Sequence, residues 1–172
     1  MGVLRPDVYL RSVCDLDPEQ DLVNRGIKGL LLDMDNTLRP RDTAVVPPSV
    51  RAWLDRVQAA GIRCCILSNS FKESTAQDGA ELGIPVVMKA LKPLPFAYPK
   101  ALRLLGCGPK ETMAVGDQLS TDVWGANLCG IISVLVDPQC SLDLGHTAQI
   151  RKIERMILGS LVPRESPSAP RE

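Results

Sequence analysis

Two kinds of apolar stretch alternate along the chain. Short continuous runs rich in Ile, Leu and Val occur at 27–33, 62–67, 85–87, 112–115 and 131–136, with the length and composition of strands buried on both faces. Between them, at 48–60, 72–82, 95–105 and 119–128, apolar residues recur every three or four positions, the spacing of helices with one packed face. Gly61, Gly83, Gly106 and Gly130 follow these helical stretches, where a left-handed residue commonly ends the helix. Pro48 and Pro95 open two of them, where the missing N–H of proline costs little, and Pro99 is expected to tighten or kink the start of the third. A short leading helix is predicted over 18–24. Strand and helix in alternation predict an α/β fold, a Rossmann-like parallel sheet flanked by helices.

A chain of 172 residues with 45% apolar content builds one well-buried core. A single domain is therefore expected over 1–161, and the polar, proline-rich residues 162–172 read as a disordered tail. Within 149–161, Ile150, Ile153, Ile157 and Leu161 fall near one helical face, with Arg151, Lys152 and Arg155 at its flanks. Such a helix either packs on the sheet or rests on anionic lipid, and packing is the expected outcome.

Charge changes little in this picture. Lys plus Arg equal Asp plus Glu at 20 each, so no global field draws the chain to nucleic acid, and recognition of an anion must be local. Cys14, Cys64, Cys65, Cys107, Cys129 and Cys140 show no zinc-ligand spacing and read as reduced thiols. The single histidine, His146, lies far from the acidic motifs and reads as a loop residue; one imidazole leaves little scope for His-based catalysis. The N-terminus lacks the layout of a signal peptide, and no apolar run reaches the length of a membrane span, so a cytoplasmic protein is expected.

The candidate chemistry sits at predicted strand ends, where open parallel sheets collect their ligands. The segment GLLLDMDNTL ends a buried strand in Asp33 and Asp35, followed by Thr37. Two carboxylates 4 Å apart repel by up to about 4 kcal/mol at an effective dielectric near 20, and a cation relieves this. Asp117 and Asp122, in GDQLSTD, add to an oxygen-rich set without imidazole, which suits Mg²⁺. Ser68, in ILSNS, offers a hydroxyl to a phosphoryl oxygen with Asn69 beside it, and Lys92, in KALKPLP, offers a positive charge.

The order DMDNTL, SNS, lysine before proline and GDQLSTD resembles the haloacid dehalogenase superfamily, and the stretch from Leu4 to Asp137 is similar to its YqeG-type, subclass IIIA phosphatases. That resemblance implies a phosphomonoester hydrolase in which Asp33 attacks phosphorus and Asp35 acts as general acid, then general base. It further implies that Asp33, the carbonyl of Asp35, Asp117 and Asp122 bind Mg²⁺. Ser68, Asn69 and the main-chain N–H groups of Met34 and Asp35 would hold the phosphoryl oxygens, Lys92 would steady nucleophile and phosphate, and Thr37 would orient Asp35. Members of the family resemble phosphatidylglycerophosphate phosphatases, so a lipid head group at the inner membrane face, reached by peripheral contact, is the implied substrate. A soluble sugar phosphate or nucleotide is the alternative.

The intervals from Asp33 to Ser68 and from Ser68 to Lys92 are too short for the cap domain many superfamily enzymes carry. A capless cleft is open to a bulky substrate or to a second subunit, so a homo-oligomer is compatible with it. Where the family usually follows DNTL with a small apolar residue, proline and tryptophan, this chain has Arg39, Pro40 and Arg41. These arginines read as ligands for a second anionic group or as solvated loop charges. A receiver-like signalling module shares the acidic site, but has no use for an acid/base carboxylate two residues after its phospho-accepting aspartate. The absence of G-x-x-x-x-G-K-S/T argues against a P-loop kinase.

Overall fold

The computed structural model describes residues 2–140, 159 and 161–164. It contains six parallel strands: β1 (Val8–Leu10), β2 (Gly29–Leu32), β3 (Arg63–Leu67), β4 (Val86–Val87), β5 (Thr112–Gly116) and β6 (Ile132–Val136). Their order in the sheet is β1-β6-β5-β2-β3-β4. β2 is central, with Leu31 paired to Cys65 of β3 on one side and to Ala114 of β5 on the other. From β2 the chain winds outward through β3 and β4, then crosses back to β5. The reversal of winding beside β2 opens a crevice at its carboxyl end.

Among the described residues, four α-helices cover the sheet: α1 (Pro48–Ala59), α2 (Glu73–Leu82), α3 (Tyr98–Leu105) and α4 (Trp124–Leu128). All residues of β2 are buried because both of its faces are covered. Leu30 and Leu32 point into a core with Trp53, Leu54 and Val57 of α1, whereas Leu31 points into a second core with Tyr98, Ala101 and Leu105 of α3. Each such leucine contributes roughly 1.5–3 kcal/mol of burial free energy.

Several expected boundaries shift for local reasons. Helix α3 begins at Tyr98 rather than 95, with Pro99 in its first turn, where no N–H is needed. The helix expected over 119–128 is a wide turn, Leu119–Val123, continued by α4. The leading segment at 18–24 is likewise a wide turn, Pro18–Leu22, whose amides Glu19 and Gln20 donate to the Asp17 carboxylate. Gly61, Gly83, Gly106 and Gly130 all have positive φ, as their place after a helix requires.

Strand β1 was not expected; it pairs with β6, and Tyr9 donates from its hydroxyl to Asp137 at 2.5 Å. The chain passes from β2 to β3 through one loop and α1, and from β3 to β4 through α2, leaving no room for a cap. Past Leu161, Arg164 donates its backbone N–H to Tyr9 O at 2.8 Å, and its guanidinium grips Asp21 at 2.6 and 2.5 Å. His146, most of the helix expected over 149–161 and the last eight residues of the tail lie outside the described residues.

Candidate active site

The ends of β2, β3 and β5 bring the predicted residues together. Asp33 follows β2, and its backbone N–H still donates to Val115 O at 2.9 Å, which fixes the carboxylate at the rim of the crevice. The chain then turns sharply: Leu38 and Arg39 donate backbone N–H to Met34 O, Asn36 donates to Arg39 O, and Asn36 takes φ 66°, a conformation asparagine tolerates better than most. Met34 buries its side chain in the core, so it offers the site only its backbone.

Lys92 lies at the centre. Its Nζ is 2.6 Å from Asp33 Oδ1 and 2.6 Å from Asp122 Oδ1, with the lysine side chain only 4% exposed. Asn69 locks its backbone, accepting from Lys92 N at 2.7 Å and donating to Lys92 O at 3.1 Å. The amide of Asn69 is therefore occupied in holding Lys92, a role its expected place at the phosphate had not included. Burial disfavours the ammonium, but Asp122 and Asp33 more than offset this and raise its pKa. Burial likewise pushes the Asp33 carboxyl up, to about 6, against the lowering influence of Lys92.

Asp117 and Asp122 complete an acidic group with Asp33, whose ligand oxygens lie within 4.8 Å of one another. Asp122 Oδ2 accepts from Gln118 N at 3.1 Å, which leaves the side chain with a fixed direction. It packs so closely on Gly116 that a Cβ there would come within 2.4 Å of its carboxylate. Three buried or half-buried carboxylates against one lysine leave excess negative charge, and an all-oxygen donor set fits a small hard cation. Ser68, buried at the end of β3, accepts at Oγ from Ser70 N at 3.1 Å and keeps its hydroxyl proton for another acceptor.

Two residues after the acidic pair have contacts that spacing did not predict. Thr37 makes no hydrogen bond to Asp35: its hydroxyl is buried and has no hydrogen-bond partner among the described residues. Asp35 is held instead by Arg39, with Nε 3.2 Å from Oδ1, while the same guanidinium binds Asp78 of α2. Arg39 is 3% exposed, so its charge is buried between these two carboxylates rather than solvated. Arg41 remains half-buried beside this loop, its backbone N–H on Asn36 Oδ1. Arg39, Asp78 and Asn69 thus carry functions that sequence spacing alone did not signal. A cavity of about 900 Å³ along β1, lined in part by Arg5, Arg25 and Arg164, is separate from this cluster.

The fold and site define a hydrolase class, and comparison with known proteins agrees. The family model of haloacid dehalogenase-like hydrolases matches residues 39–130, more than half of the chain, which belongs to that family. It is 35% identical to the probable phosphatase YqeG of Bacillus subtilis (strain 168) over 91% of its own length and 90% of that protein, and it is a phosphatase. It is also 28% identical to phosphatidylglycerophosphate phosphatase 1, chloroplastic/mitochondrial, of Arabidopsis thaliana, covering 89% of this chain but 47% of that protein. Among solved structures, a putative 3-deoxy-D-manno-octulosonate 8-phosphate phosphatase from Vibrio cholerae shares the fold, with TM-score 0.53, 17% identity, and 80% and 86% of the two chains covered.

Proposed function

We propose that this phosphatase cleaves a phosphomonoester through a phosphoryl-enzyme formed on Asp33, and that its substrate is phosphatidylglycerophosphate. The observation that carries the mechanism is the separation of two kinds of carboxylate. Asp33 sits among Lys92, Asp117 and Asp122, while Asp35 stands outside that acidic group on Arg39. A charged, fixed oxygen suits nucleophilic attack; a separate carboxylate suits proton transfer.

In the first half, an Asp33 oxygen bonds to phosphorus, the bond to the leaving oxygen breaks, and Asp35 gives its proton to that oxygen. In the second, Asp35 takes a proton from water, the water oxygen bonds to phosphorus, and the bond to Asp33 breaks, releasing phosphate. Lys92 and the Ser68 hydroxyl neutralise the phosphoryl oxygens, with the N–H groups of Met34, Asp35 and Asn69 as further donors. Mg²⁺, held by Asp33, the Asp35 carbonyl, Asp117 and Asp122, would supply charge neutralisation to the phosphoryl group.

The substrate reading is supported by the relatives' names and by a capless cleft that leaves approach to a membrane-borne phosphate open; Arg41 is its candidate contact for the internal phosphodiester. Enzyme acting from the cytoplasmic side would meet such a lipid peripherally, and no described helix is long and apolar enough to cross a membrane. The test measures phosphate release from phosphatidylglycerophosphate, glycerol 3-phosphate, sugar phosphates and nucleotides, with Mg²⁺ and with EDTA. A higher kcat/KM on the lipid, lost in EDTA, is expected. Equal turnover of a soluble monoester would remove the lipid assignment, and undiminished turnover in EDTA would remove the metal.

A further inference from the structure

Two loops at the carboxyl ends of β3 and β4 place four large apolar side chains in solvent: Phe71 is 67% exposed, Leu91 53%, Leu94 48% and Phe96 74%. The loops are laced together. Lys89 N donates to Ser70 O at 3.3 Å, Lys89 Nζ lies 5.4 Å from the Phe71 ring centroid, and Asn69 holds Lys92 as described. Lys92 reaches from the second loop to Asp33, so this apolar rim stands at the mouth of the site. Lys89 and Leu91, neither of them glycine, take φ 53° and 54°, a strained backbone that fixes how the loop presents its side chains.

Charge on these loops is one-sided. Apart from the buried, ion-paired Lys92, residues 69–72 and 88–100 contain Lys72, Lys89 and Lys100 and no acid, in a chain whose net charge is zero; the nearest acid in sequence, Glu73, opens α2. Apolar tips between lysines match a surface that is apolar beneath and anionic above. A protein seated on the mouth would block the site, whereas a bilayer would deliver the phosphate to it.

We propose that Phe71, Leu91, Leu94 and Phe96, with Lys72 and Lys89, form a docking surface for an anionic lipid bilayer. The proposal rests on the lipid-substrate reading above and extends it to the face that meets the membrane.

The test compares wild type with a Phe71→Ser, Phe96→Ser double variant and, separately, Lys72→Gln with Lys89→Gln. Sedimentation with phosphatidylglycerol-rich and with pure phosphatidylcholine vesicles reads binding. Hydrolysis is followed on phosphatidylglycerophosphate in vesicles, on the same lipid in detergent micelles, and on p-nitrophenyl phosphate. Wild type should bind the anionic vesicles, and the serine variant should lose about tenfold or more in binding and in vesicle kcat/KM. It should retain p-nitrophenyl phosphate turnover within about twofold, and the glutamine variant should lose the preference for anionic vesicles. Failure of wild type to bind, or equal binding and vesicle turnover by the serine variant, overturns the docking surface. Light scattering that shows an oligomer dissolved by the serine substitutions also overturns it, making the patch a subunit interface. Failure to cleave the lipid even in micelles counts against the substrate reading instead.

Discussion

Arg39 stands between Asp35 and Asp78, and its Nε lies 3.2 Å from the oxygen of the proposed acid/base. The guanidinium is buried, so its fork holds Asp35 in one direction and anchors that direction to α2. Arg39→Ala should lower kcat by about 10- to 100-fold with a small change in KM, the signature of a misplaced catalytic group rather than a lost substrate contact. Unfolding in urea should show a loss of about 3 kcal/mol, because two carboxylates lose their shared partner. Steady-state kinetics that show a rise in KM at unchanged kcat would return Arg39 to substrate binding.

Asp33→Asn should stop phosphate release while the protein stays folded, since an amide is a poor nucleophile. Asp35→Asn should slow both half-reactions and leave the phosphoryl-enzyme long-lived enough to trap by acid quench with labelled substrate. Turnover by Asp33→Asn above about a tenth of wild type, measured as phosphate release, would take that residue out of the nucleophile role.

The contact between Gly116 and Asp122 makes a one-methyl test of the acidic group. Gly116→Ala would place a carbon within 2.4 Å of the Asp122 carboxylate and push it off Lys92 and Gln118. Thermal melts with and without Mg²⁺ should show metal-dependent stabilisation in wild type and little in the variant. Ca²⁺, with its longer and looser coordination, should substitute poorly in turnover.

Tyr98 is buried with its hydroxyl unpartnered among the described residues. Tyr98→Phe should therefore be neutral or stabilising by up to about 1 kcal/mol, since it removes a buried polar atom that makes no bond. Gly125→Ala should destabilise by about 1–3 kcal/mol, because its Cβ would fall 2.1 Å from that hydroxyl. Both are read from urea unfolding midpoints.

The Arg164 clasp gives a pH dependence. Burial alone would raise the Asp21 carboxyl, but hydrogen bonds from Arg164 and the Asp17 backbone and the nearby guanidinium charges bring it below the ordinary range. A depressed carboxylate stabilises the fold above its unfolded pKa of about 3.9, and the contribution fades as pH falls through the lower folded value. Arg164→Ala should cost about 1–2 kcal/mol at pH 7, and the difference from wild type should shrink below about pH 4. Urea titrations at several pH values measure this.

What could be read from the sequence was what neighbours along the chain decide. The buried runs gave the inner strands, the four terminal glycines gave helix ends, and the acids of DMDNTL and GDQLSTD fell where strand ends placed them. Strand β1 escaped because three residues carry no usable period. The role of Arg39 escaped because its partner Asp78 lies 39 positions away, and that of Asn69 because its clamp on Lys92 spans 23. Such pairings depend on how α2 and the loop after β4 are packed, which local spacing does not encode.

The pairing of β1 with β6 also sets an order in time. Strand β1 has no partner in the sheet until residues 132–136 are made, on the order of ten seconds later at ordinary rates of synthesis. Both neighbours of the nucleophile's strand, β3 and β5, are synthesised before β6, so the outer member β1 is the strand whose partner comes last. Arg164, which reaches back to Tyr9 and Asp21, arrives later still. Arg164 thus fastens β1 from more than 150 positions further along the chain, and a truncation before Arg164 would leave that strand without this fastening.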